Sequence, residues 1–195
     1  WSLPVSDAAT EPDFGTYWHD GKAEIDGYRM TIWRYGEKRP GKAVRVYVTE
    51  PFRLGARVKA DDPTRDPRDV VDVLKLNFVR DFQTGIYDYH TMVSLFTDAA
   101  NFEPVKVAFS STEWCGQVYE ETNFAQRDSR TDTLSYFEDE SSRTTLPSPE
   151  GGIVEDDLFV RLRGLREDYL APGERRVVPF FASPFFRRLT HRPAA

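Results

Sequence analysis

The chain has 195 residues, with 26 Lys and Arg against 32 Asp and Glu, and a formal net charge of −6. That acidic balance argues against nucleic acid as a partner, because phosphate backbones are met by basic surfaces. The 14 Phe, 9 Tyr and 4 Trp supply bulk for a real core and exclude wholesale disorder, while a single cysteine excludes an internal disulfide and any multi-cysteine metal site.

Residues 1–16, WSLPVSDAATEPDFGT, are polar and rich in turn formers, and read as an arm or linker. Residues 17–186 read as one β-rich domain, and residues 187–195 as a basic C-terminal tail. The first hairpin spans residues 22–52. Tyr28, Met30 and Ile32 alternate with Arg29, Thr31 and Trp33, and Val44, Val46 and Val48 alternate with Arg45, Tyr47 and Thr49. A period of two in aromatic and β-branched residues marks half-buried strands. The Gly and Pro of GEKRPGK place the loop there, and residues 55–70 form a longer polar connection.

A second hairpin covers residues 73–96, with Leu74, Leu76 and Phe78 on one face and DFQTG as its turn. From Ile86 to Phe96, apolar residues occupy both faces, which predicts a central strand. Residues 104–124 form a third run, with Val105, Val107 and Phe109 on one face and a turn or bulge at SSTEWCG. TDTLSYFE, residues 131–138, predicts another strand, and DESSRTTLPSPEGG a flexible loop. Residues 155–170 predict the one helix, with Leu158, Leu162, Leu165 and Tyr169 on its apolar face and three acids in its first turn. The segment 175–186 predicts a short last strand broken by Pro179 and Pro184. The fold expected is mainly β: an antiparallel meander forming a curled sheet or open β-barrel, with one late α-helix.

Chemistry is harder to find. The chain contains no GxSxG, P-loop, GxGxxG or HExxH motif, and no cofactor is implied. Cys115, between Trp114 and Gly116, would need a histidine base to act as a nucleophile, and His90 is the candidate. Glu113 beside it works against a reactive thiolate, so Cys115 reads instead as a small apolar residue within a sheet. His19, Asp20 and Glu24 lie close in sequence and form a second candidate hydrolase constellation, although His-Asp-Gly is also ordinary turn chemistry. Aromatic residues beyond the needs of one buried face favour a cleft for a lipid or other hydrophobic small molecule, with Trp33, Tyr89 and Trp114 as its ligand-binding residues. A structural or protein-interaction module that uses a sheet edge is the third reading.

No apolar run approaches the ~18 residues a membrane helix needs. The chain opens on Trp1 rather than Met, which fits a removed signal or lipidated N-terminus as the only route to membrane association. The close at Ala195, soon after RRVVPFFASPFF, fits relatives that continue further.

The stretches YWHDGKAEIDGYRMTIWRYGEKRPGKAVRVYVTEPF, LKLNFVRDFQTGIYDYHTMVS and EWCGQVYEE resemble an uncharacterised family of bacterial secreted proteins and lipoproteins, over about residues 17–170. The resemblance implies an extracytoplasmic, β-rich protein of the periplasm or outer membrane and transfers no catalytic residue. Similar sequences also carry the label of the Maf septum-formation inhibitors, which are nucleotide pyrophosphatases. Their motif, roughly SxSPRR, follows the first strand of an α/β domain. Here Ser183-Pro184 and Arg187-Arg188 are split by two phenylalanines and lie near the end of the chain, so that activity is not expected.

Overall fold

The computed structural model describes residues 13–125, 127–148, 153–164, 173, 175 and 180–190. The fold is mainly β, with 59% of the described residues in strands. One antiparallel sheet of nine strands dominates, and it does not close into a barrel. Its strands are β1 (Glu24–Arg34), β2 (Glu37–Arg53), β3 (Val58–Lys59), β4 (Val70–Thr84), β5 (Tyr87–Asp98), β6 (Pro104–Glu113), β7 (Gly116–Phe124), β8 (Asp128–Ser135) and β9 (Ser142–Pro147). They run in the order β1-β2-β4-β5-β6-β7-β8-β9, with β3 folded back on the end of β2. The helices are α1 (Phe14–Trp18), α2 (Asp157–Gly164) and α3 (Pro184–Thr190), and β10 (Ile153–Val154) pairs in parallel with β11 (Phe180–Phe181).

Tight turns fix the registers. Tyr35 and Gly36 both adopt positive φ, 54° and 75°, so a two-residue turn joins β1 to β2 and pairs Arg34 with Glu37. Such turns match the twist of the flanking strands. The turn therefore lies at Tyr35-Gly36 and the EKRPGK that follows belongs to β2, because Tyr-Gly supplies the left-handed geometry that the Pro-Gly further on does not need to. Gly85, at φ 60°, opens an equally short turn between β4 and β5 and leaves Ile86 exposed rather than starting the strand. The segment read as a flexible loop contains β9, paired with β8 from Asp128–Pro147 to Thr133–Ser142.

The sheet has one covered and one open face. Ala43, Tyr47, Leu74, Leu76, Phe78, Val93, Leu95, Val107 and Phe109 all point to the covered face and pack beneath Trp18, Val154, Val160 and Phe181. Val44, Val46 and Val48, the apparent apolar row of β2, point the other way and are only half-buried. Tyr47 takes the buried position because Trp18 lies against it, with ring centroids 6.1 Å apart. The one-residue alternation leaves the valines on the open side.

The helix also presents a different face from the one predicted. Val160 is fully buried and Phe159 packs on the core, whereas Leu158 and Leu162 are exposed; Leu165 and Tyr169 lie outside the described residues. Buried Asp157 sets this rotation. It accepts hydrogen bonds from Thr97 Oγ1 on β5 at 2.8 Å and from Arg161 Nε at 2.5 Å. Arg163 holds the end of α2 to Glu24 and Asp26 on β1, each at 2.7 Å.

The described part of the expected tail, residues 187–190, lies in α3. Arg187 and Arg188 lie in α3 and pair across the covered face with Glu120 of β7, Glu113 of β6 and Glu140. Arg34 Nη1 donates to the Leu189 carbonyl at 2.9 Å.

Candidate functional site

On the open face, one end is capped. The end of β2 and the β3 excursion bring Leu54 over Phe52, Val73, Phe96 and Val105. Arg57 donates to the carbonyls of Val105 and Phe124, and Lys106 Nζ donates back to the Arg57 carbonyl. The opposite end, near the hairpin tips, remains open. There a cleft of about 730 Å³ lies along β2, β4, β5 and β6, floored by Lys42, Asp81, His90 and Thr112 and bounded by Gln83, Asp88 and Trp114.

Strand register builds the floor. Lys42 faces Asp81, Asp81 faces His90, and His90 faces Thr112, each pair directly opposed. Neighbouring strands sit about 4.8 Å apart, so the row crosses about 14 Å. His90 Nδ1 and Asp81 Oδ1 are 2.5 Å apart, and both side chains are more than half exposed, at 57% and 54%. Two positions nearer the turn, Gln83 Nε2 donates to Asp88 Oδ1 at 2.9 Å. Gly41 stands at the back of the cleft because β1, β2 and β4 close tightly there. A Cβ on it would meet the Asp81 carbonyl at 2.5 Å.

The three aromatic residues expected to hold a ligand do not converge. Trp33 stands on the β1–β2 hairpin, 63% exposed, with Lys38 Nζ 5.5 Å from its ring centre, and does not line the cleft. Tyr89 borders the cleft, but its side chain is 7% exposed and stacks on Phe82 at 4.8 Å. Burial pushes the Tyr89 phenol upward, with hydrogen bonding to Tyr35 adding to the effect. Trp114 is different. It sits in the β6–β7 turn, 66% exposed, held by an edge contact with Tyr87 at 6.4 Å.

Cys115 follows it in the same turn and is exposed, not a residue of the sheet interior. The two-residue turn explains the difference: Glu113 pairs with Gly116, so the strand ends before the cysteine. The His90 imidazole is engaged by Asp81. Glu113 faces the other side of the sheet, where Arg188 binds it.

His19, Asp20 and Glu24 are likewise drawn apart. His19 Nε2 lies 3.5 Å from Asp72, Asp20 accepts from the Lys22 amide at 2.8 Å, and Glu24 pairs with Arg163 and Tyr17. The hydrogen bond donated by the Lys22 backbone N–H holds the exposed Asp20 carboxyl below its ordinary range, as in an ordinary turn. Among the described residues, no group of three or more His, Cys, Asp or Glu side chains is placed to hold a metal ion. No described helix is long and apolar enough to cross a membrane.

Sequence reasoning missed Lys42, Asp81, Gln83, Asp88 and Thr112. The signal was present. In VRDFQTGIYDYHT, polar Asp81, Gln83, Asp88 and His90 alternate with residues of the covered face. A turn at Gly85-Ile86 pairs Asp81 with His90 and Gln83 with Asp88 by counting alone. No protein-family model, curated protein or solved structure matches the chain.

Proposed function

We propose that the chain is a non-catalytic binding domain of the bacterial envelope, and that its ligand sits in the cleft at the hairpin tips. The observation that carries the reading is Trp114. Its indole is two-thirds exposed and borders the cleft, which gives a ligand there a flat apolar platform beside polar groups. The covered face is filled by the chain's own helices, so a small-molecule ligand has the Trp114 end of the open face to lie on. The envelope location rests on the likeness to secreted proteins and lipoproteins.

A second reading, a hydrolase, draws on the Asp81–His90 bond, since a carboxylate that orients a histidine is half of a general-base arrangement. Thr112 is the hydroxyl opposite His90. The binding reading is favoured because two ordinarily exposed groups form that pair. Among the described residues none buries or dries the pair, as efficient proton transfer would want.

Native mass spectrometry of protein purified from its own cells, followed by denaturing extraction, tests the proposal. A small molecule released from the wild type and absent from Trp114→Ala is expected. A bare single-chain mass from both would count against it.

A further inference from the structure

Resting on that reading of the cleft, we propose that the ligand is a neutral saccharide. It would lie with one pyranose ring against Trp114 and its hydroxyls on the row Asp81, His90, Gln83 and Asp88.

The argument is one of matched chemistry. A pyranose has a ring face of C–H groups and a rim of hydroxyls, each both donor and acceptor. It therefore needs one flat apolar platform and, close by, fixed polar groups of both kinds. Trp114 supplies the platform, and its edge contact with Tyr87 sets the indole's orientation while most of its surface stays in water. The rim is supplied in register. Asp81 spends one oxygen on His90, and Asp88 spends one on Gln83, which leaves carboxylate lone pairs free to accept from hydroxyls. Lys42 and Gln83 donate, while His90 and Thr112 can do either. The Asp–His and Gln–Asp pairs also hold these side chains before any ligand arrives, which lowers the entropy cost of binding.

Other classes fit the same groups less well. Two carboxylates against one lysine repel a phosphate or carboxylate ligand. Asp81, Asp88 and His90 are not placed to hold a metal ion together. A hydrocarbon chain laid across the floor would strip water from Lys42, Asp81 and Asp88 without replacing their hydrogen bonds.

The test is a titration of the ¹⁵N-labelled full chain, followed by its amide resonances. The probes are a panel of neutral oligosaccharides of the glucose, mannose, galactose and N-acetylglucosamine series, with a lysophospholipid and inorganic phosphate as separate arms. The expected result is a saccharide that shifts amides of residues 81–90 and 112–114. Affinity should fall about tenfold or more in Trp114→Ala, a truncation worth roughly 1.4 kcal/mol or more. Leu134→Ala, an exposed site on β8 outside the row, should bind as the wild type does. The exposed turn position of Trp114 tolerates truncation, and a dispersed spectrum verifies folding. Shifts in the cleft with lysophospholipid or phosphate alone would overturn the saccharide and leave the binding site standing. A cleft silent to every probe would overturn both.

Discussion

Glu120→Ala is expected to destabilise the protein by about 3–5 kcal/mol, and the double replacement Glu120→Leu with Arg187→Met to recover most of that loss. Glu120 lies on the covered face and receives both terminal nitrogens of Arg187 together with the Thr133 hydroxyl. The two side chains are only 11% and 12% exposed. Removing the carboxylate alone strands a guanidinium in a site with little water, with the Ala182 carbonyl at 3.4 Å and the Phe181 ring for company. Removing both charges ends the desolvation cost of each, which is why the pair of changes is milder than either one alone. Urea melts of the single and double variants measure this. A loss below about 1 kcal/mol for Glu120→Ala would mean that α3 does not pack on the sheet as described.

Stability should also fall as pH rises through about 6, and Asp156→Asn should remove the part of that fall that Asp156 carries. Asp156 is 1% exposed at the start of α2. Burial pushes its carboxyl from an ordinary 3.8 up to about 6, against the opposing pull of the Ser183 hydrogen bond and the Arg80 charge. Its folded form therefore holds a proton more tightly than its unfolded form does. The contribution to stability is complete below the unfolded value near 3.8 and is lost as pH passes the folded value near 6. Two units correspond to about 3 kcal/mol. The unfolding free energy of Asp156→Asn minus that of the wild type should then rise by roughly 2.4 kcal/mol between about pH 4 and about pH 7.5. Arg80 stays charged throughout, although burial lowers it to about 10, so it adds no titration of its own over this range. Arg80 lies between the rings of Phe78 and Phe185, 3.5 and 4.0 Å from their centres, and keeps that support in the variant. A difference that stays flat with pH would show that Asp156 titrates normally and that the packing around it is looser.

The strands were legible because their alternation is strong. Leu74, Leu76 and Phe78 were readable as one face, and they form the centre of the core. What could not be read was which of two plausible faces is covered. Val44, Val46 and Val48 are as apolar as any core row, and only Trp18, arriving from α1, decides in favour of Tyr47. The helix was misread for a similar reason: Leu158 and Leu162 fit a helical stripe, but the buried Thr97–Asp157 bond turns Val160 inward instead. A charged residue choosing the interior runs against the usual ranking of burial, and no local pattern announces it.

The candidate site divides in the same way. Trp114 and His90 were visible as chemistry-bearing residues, but their neighbours were not, since Lys42, Asp81, Asp88 and Thr112 come from four strands joined only by register. Cys115 drew notice by being unique and proved to be a turn residue. The basic stretch at Arg187-Arg188 reads as the start of a basic tail, because its acidic partners, Glu113 and Glu120, lie far off in sequence and face it only across the sheet.

Hydrogen–deuterium exchange of the full chain, with and without the small-molecule fraction of its own cells, tests the central claim most directly. If the cleft is the binding site, the extract should slow exchange at residues 40–42, 81–90 and 112–114 and leave β8, β9 and α3 unchanged. Protection confined to β1, β9 or α3, or no protection anywhere, would contradict it.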